Sequence, residues 1–173
     1  MDMSKLKSKT FAEGKFIVTQ LRKGKVIDTW ESKNLVVDEG LNYYQGAALN
    51  GDAAKTTWYL ALFSNNRAPS PGDTGTTVSS ASGEVTTQYA ETHRPTWVPD
   101  AIASGVISNN STPAVFTIDT DVSLYGAFLV SENTKGGSVV GTILMGEALF
   151  GSNRDAIVGD VINVTYQITL SSV

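Results

Sequence analysis

The stretch Ile162-Asn-Val-Thr-Tyr-Gln-Ile-Thr-Leu-Ser171 alternates apolar and polar residues without a break. Side chains change face at every residue of a strand, so Ile162, Val164, Tyr166, Ile168 and Leu170 form an apolar face, opposite Asn163, Thr165, Gln167, Thr169 and Ser171. Two further segments are apolar on both faces. In Thr57-Trp-Tyr-Leu-Ala-Leu-Phe63, Trp58, Leu60 and Leu62 oppose Tyr59, Ala61 and Phe63, and Leu124-Tyr-Gly-Ala-Phe-Leu-Val130 repeats the feature. A strand of this kind must be covered on both sides. A facing sheet covers one; the other needs a helix, a long loop or another subunit. The expectation is association between copies, with Trp58, Tyr59, Tyr125 and Phe128 at the contact.

The rest of the chain supports an all-β, antiparallel β-sandwich. Phe16–Leu21 and Val26–Trp30 flank Arg22-Lys-Gly-Lys25, a hairpin signal with Gly24 in the turn. Asp38 can cap a short helix, and Glu39 suits its positive end. Leu41, Tyr44 and Ala48 share one helical face, Asn50-Gly51 ends the helix, and Gly40 and Gly46 weaken it, so packing against the sheet is expected. Later strands are predicted at Ile102–Ser108, Ala114–Ile118, Val122–Val130, Val139–Phe150 and Val161–Ser171. They are separated by turn signals at Asn109-Asn110, Pro113, Asp119/Asp121, Gly136-Gly137 and Gly159-Asp160. Short strands at near-regular spacing indicate a sandwich or barrel.

A length of 173 residues fits one domain, taken as 13–173, after a flexible basic arm, 1–12, carrying Lys5, Lys7 and Lys9. Ser64–Pro99 is rich in Ser, Thr, Gly and Pro and reads as a long loop, functional or mobile. No apolar run nears the roughly 20 residues of a membrane span. The N-terminus lacks the apolar centre of a signal peptide, so a soluble chain retained in a cytoplasm is expected. Lys and Arg total 13 against 17 Asp and Glu, a balance that disfavours broad nucleic-acid binding.

Reactive groups are sparse. There is no cysteine, which excludes thiolate metal sites and cysteine nucleophiles. His93 is the only histidine, so it offers one imidazole base and no two-histidine metal site. No Gly-x-Ser-x-Gly elbow is present. Asp119/Asp121 and Asp155/Asp160 are candidate carboxylate pairs, but acidic residues in β-turns ordinarily bond their own backbone. Asp119-Thr-Asp121 and Asn109–Ser111 could donate oxygens to calcium, yet the EF-hand spacing is missing and they read as turns. Gly136-Gly-Ser-Val-Val-Gly141 has no following Lys-Ser/Thr or helix, so it is a hairpin turn and not a phosphate cradle. Asn-x-Ser/Thr triplets at Asn109, Asn110 and Asn163 mean little without a secretory signal. No enzyme, metal or cofactor is expected. Tyr89, Arg94 and Trp97 are residue types of protein-protein hot spots, although Trp97 could equally plug the end of the sandwich.

Five segments together resemble a family of small tailed-phage virion proteins. They are Asn34-Leu-Val-Val-Asp-Glu-Gly-Leu41, Trp58-Tyr-Leu-Ala-Leu-Phe63, Arg94-Pro-Thr-Trp-Val-Pro99, Leu124-Tyr-Gly-Ala-Phe-Leu-Val-Ser131 and Gly159-Asp-Val-Ile-Asn-Val-Thr-Tyr166. The resemblance spans most of the chain after about residue 30 and implies a jelly-roll-like head decoration or cement protein, structural in role. The expectation is an oligomer, a trimer, bound outside a capsid shell, with the major capsid protein as partner and the arm and long loop reaching neighbouring capsomers. Similar patterns in tail and fibre proteins leave an alternative, a module recognising a host glycan through Tyr89–Asp100 or another virion protein.

Overall fold

The computed structural model describes residues 10–137 and 139–172. Two antiparallel layers make a nearly closed, barrel-like sandwich. The first layer holds β1 (Thr10–Arg22), β2 (Lys25–Val36) and β9 (Asp160–Ser172), with β5 (Val106–Ser108) and β6 (Ala114–Thr117) along the far side of β9. The second runs β4 (Thr96–Trp97), β3 (Trp58–Phe63), β7 (Val122–Val130), β8 (Leu144–Ala156). The layers join where Leu35 and Val36 of β2 pair with Glu147 and Gly146 of β8.

The β1–β2 hairpin turns on Lys23 and Gly24, with φ of 52° and 74°. Two positive φ values suit a two-residue turn to the twist of its strands. β1 is longer than its apolar pattern suggests: Phe11 and Ala12 pair with Ser171 and Leu170 of β9. Residues 10–12 therefore belong to the sheet, and the arm drawn as 1–12 shortens. Helix α1 (Asp38–Gln45) and a π-type turn (Gly46–Asn50) follow, ended by Gly51 at φ 74°. Gly40 is the residue α1 buries, because a Cβ there would meet the Met145 carbonyl oxygen at 2.5 Å. The glycine read as a weakness is what brings helix and β8 together.

Between the layers lie Phe16, Val18, Leu60, Leu62, Phe116, Leu124, Leu129, Ile162, Val164 and Tyr166, all buried. At roughly 1.5–3 kcal/mol per fully buried large apolar side chain, this layer is the main source of stability. The outer faces of β3 and β7 carry a second cluster, Ala61, Phe63, Phe128 and Val130, with Leu144 of β8. Val37 and Val78 cover it from within the same chain. The expectation that these doubly apolar strands exceed what one copy can hide is thus overturned: the Ser64–Pro99 segment supplies the missing cover. That segment is built, not bare loop. It holds α2 (Val78–Ser82) and β4, and it returns onto β3 through Val85 N–H to Leu62 O (2.8 Å) and Leu60 N–H to Pro95 O (2.9 Å).

Other boundaries also differ from the sequence reading, β2 among them, which runs on to Val36. Ile102–Ser108 shortens to Val106–Ser108 because Ser104 (φ 52°) and Gly105 (φ 75°) make a turn. Val139–Phe150 becomes Leu144–Ala156, since Arg154, Asp155 and Ala156 continue the strand by pairing with Leu124, Ser123 and Val122 of β7. Pairing, not apolarity, extends it.

β9 is bordered by β5 as far as Gln167 and by β6 from Val164, leaving a gap at Thr165 and Tyr166. The wholly buried side chain of Asn109 fills it. Its Oδ1 accepts the Tyr166 N–H at 2.7 Å, and its Nδ2 donates to the Val164 carbonyl at 3.1 Å. An amide side chain thereby completes a backbone ladder. Asn109→Ala would leave both groups unpaired in the interior and lower unfolding free energy by about 2 kcal/mol, read by urea denaturation.

Candidate functional site

Of the residues expected at an interface, Lys5, Lys7 and Lys9 lie outside the described residues. Tyr89, Arg94, Trp97 and Phe128 are interior, at 2, 1, 6 and 0% exposure, and present no contact face to a partner. Trp97 packs against Trp58 and Tyr166 and donates its Nε1–H to the Tyr166 carbonyl at 3.1 Å, which is the plugging role. Tyr89 packs edge-on against Phe116, with Lys135 Nζ over its ring. Trp58, Tyr59 and Tyr125 are half-buried. Tyr59 sits beside Val130 and Tyr125 next to Gly126, at opposite ends of the β3–β7 ladder, so they form no single patch.

Arg94 is the centre of the covering segment. Its guanidinium reaches Glu84 with both Nε and Nη2 (2.8 and 2.7 Å), Ser79 Oγ with Nη2 (2.8 Å) and the Glu132 carbonyl with Nη1 (2.8 Å). It also lies over the Phe128 ring. A planar fork of five donors can hold three separate segments at once; a lysine cannot. The charge that resembled a hot spot therefore fastens α2, β4 and the β7–β8 connection together.

Of the four candidate carboxylates, Asp119 is exposed and the other three are tied up. Asp160 is buried, accepts from Arg22 Nε and Nη2 (both 2.8 Å), Gln20 Nε2 (2.7 Å) and Ile157 N–H (3.1 Å). The Arg22 contact outweighs burial and holds its carboxyl down at about 2. Asp155 accepts from Ser123 and Asn153, and Asp121 from Val158 N–H. His93 is exposed, next to Thr92 Oγ1 at 3.1 Å. Among the described residues, no group of three His, Asp or Glu is placed to hold a metal ion, and no helix is long and apolar enough to cross a membrane.

One apolar surface groove was not foreseen. A groove of about 410 Å³ opens between α1 and the paired ends of β1 and β9, walled by Phe11, Leu41, Tyr44, Met145, Ile168 and Leu170. Phe11, Leu41 and Tyr44 remain 42, 38 and 47% exposed. Leu41 and Tyr44 carried the signal as one helical face. What sequence could not show is that α1 approaches the sheet through Gly40, which leaves that face only half covered. Phe11 was missed because it was assigned to the arm. The chain matches no family model and no curated protein.

Arg94→Met would leave the Glu84 carboxylate buried without its cation and destabilise the fold by about 3–5 kcal/mol, and Arg94→Lys would restore little of it. Urea denaturation of the two variants reads this directly.

Proposed function

We propose that the chain is a virion structural protein, a decoration subunit that binds the outside of a tailed-phage capsid as an oligomer. The support from sequence is the resemblance carried by the five segments above. The observation that carries the reading in the structure is the groove at α1, β1 and β9. In a subunit whose outer sheet face is covered by its own chain, three of the exposed large apolar residues, Phe11, Leu41 and Tyr44, line one groove. A second copy presents the same three residues, so copies arranged about a rotation axis can cover one another's grooves. A trimer is the state proposed.

The role is mechanical. A rigid sandwich clamped across several capsid subunits opposes their separation under the outward pressure of packaged genome. Binding energy that exists only in the assembled shell stabilises that shell by linkage. The alternative of glycan recognition through Tyr89–Asp100 is less well supported, because Tyr89 and Trp97 are interior and leave no aromatic platform.

Two measurements test this. Light scattering of the purified chain should give an oligomer that Leu41→Asp with Tyr44→Asp converts to a folded monomer; a monomeric wild type would remove the oligomer from the proposal. Mixed with empty mature capsids and imaged, the chain should add density to the outer surface. A bare shell at saturating concentration would end the capsid assignment.

A further inference from the structure

Glu147 lies near the start of β8, wholly out of solvent, on the face that the Ser64–Pro99 segment covers. Ser82 of α2 donates its Oγ–H to Oε2 at 3.4 Å, and Oε1 has no hydrogen-bond partner among the described residues. Asp73, also buried, comes from the covering segment, is bonded by Arg67 Nη2, and accepts the Ser70 N–H at 2.7 Å. Arg67 approaches Glu147 only at 3.8 Å, through an Nη1 that is itself without a partner. One guanidinium therefore faces two enclosed carboxyls.

Among the described residues, Arg67 is the one cation within ion-pair range of Glu147. Leu35 of β2 and Phe128 of β7 flank Glu147 in the sheet and carry no charge. Glu39 of α1 is taken up by Gly75 N–H and Leu144 N–H, each at 2.7 Å. Glu84 and Arg94, beyond α2, pair with each other. Were both Glu147 and Asp73 ionised, one negative charge would be left uncompensated in apolar surroundings, and a proton on Glu147 removes it.

We propose that Glu147, Asp73 and Arg67 form a proton-dependent latch. With Glu147 protonated, the latch holds the Arg67–Ser82 segment closed over β3 and β7. With Glu147 ionised, the segment releases and bares the apolar strip of Ala61, Phe63, Phe128 and Val130. The proposal does not depend on the virion reading.

The sign follows from the two carboxyls. Burial first, and the neighbouring Asp73 second, push the Glu147 carboxyl from an ordinary 4.5 up to about 8. The closed state thus keeps a proton that the released state gives up. Its advantage is whole below about pH 4.5, falls as pH rises, and is gone above about 8. Asp73 acts in the opposite sense. Its burial is outweighed by Glu147, Arg67 and the Ser70 N–H, which draw it from 3.8 down to about 2, so its contribution is whole above about 3.8 and is lost as pH falls to about 2. Closure is tightest in mildly acidic solution.

Hydrogen-deuterium exchange of the full chain, corrected for intrinsic rates, tests the latch between pH 5.5 and 9. Protection of Ser70–Ser82 should stay below that of β9 and fall by roughly tenfold per pH unit up to about pH 8. Glu147→Gln, neutral at every pH, should flatten that slope. A wild-type segment whose protection ignores pH, or equals that of β9 throughout, overturns the latch, as does an unchanged slope in Glu147→Gln. Should that variant fail to fold, carboxyl-carbon NMR of the wild type decides: Glu147 titrating near pH 8 supports the proposal, and titration below pH 6 refutes it.

Discussion

The outer face of β3 and β7 has to be kept from water, and most of what is unusual in this structure follows from that. Ala61, Phe63, Phe128 and Val130 point away from the inter-layer core and would be exposed on a simple two-layer sandwich. The chain covers them with Ser64–Pro99, a segment poor in apolar residues. Such a cover cannot be held by greasy contacts alone. It is held by α2 presenting Val78 and by polar groups that must be satisfied once they are enclosed.

Those polar groups form nodes, each tying the segment to a different neighbour. Arg94 links Glu84, Ser79 and the Glu132 carbonyl. Glu39 links Gly75 to Leu144, and so joins the segment to α1 and β8. Glu147, Asp73 and Arg67 form a third node, in which charge does not balance. Buried ionic groups are costly to assemble and costlier to break, so they add little net stability but define one arrangement of a polar segment. The node that does not balance is the one that proton concentration can reach.

At the other side of the molecule the same rule of satisfaction appears in Asn109, whose amide completes the ladder of β9. Where α1 meets the sheet the packing is less complete. Gly40 allows close approach to β8, but Leu41 and Tyr44 project past the sheet end and leave a groove open.

The alternation of Ile162–Tyr166, the two apolar faces of Leu60–Phe63 and Ala127–Val130, the Lys23-Gly24 turn and the stop at Gly51 were all legible in the sequence. Each depends on residues adjacent in the chain, whose spacing alone decides which face they occupy. Whether β3 and β7 needed another subunit was not legible, because the cover comes from Val37 and Val78, distant residues that pattern cannot assign to a face. The role of Arg94 was misread for the same reason: a charged residue near aromatics looks the same in sequence whether its partners are internal or foreign. The groove and the Glu147 cluster had no signal of their own, since each exists only where separate elements converge. Local periodicity thus determined the strands and the all-β class. Tertiary structure alone decided what is inside, because burial is a property of the neighbours that long-range folding brings together.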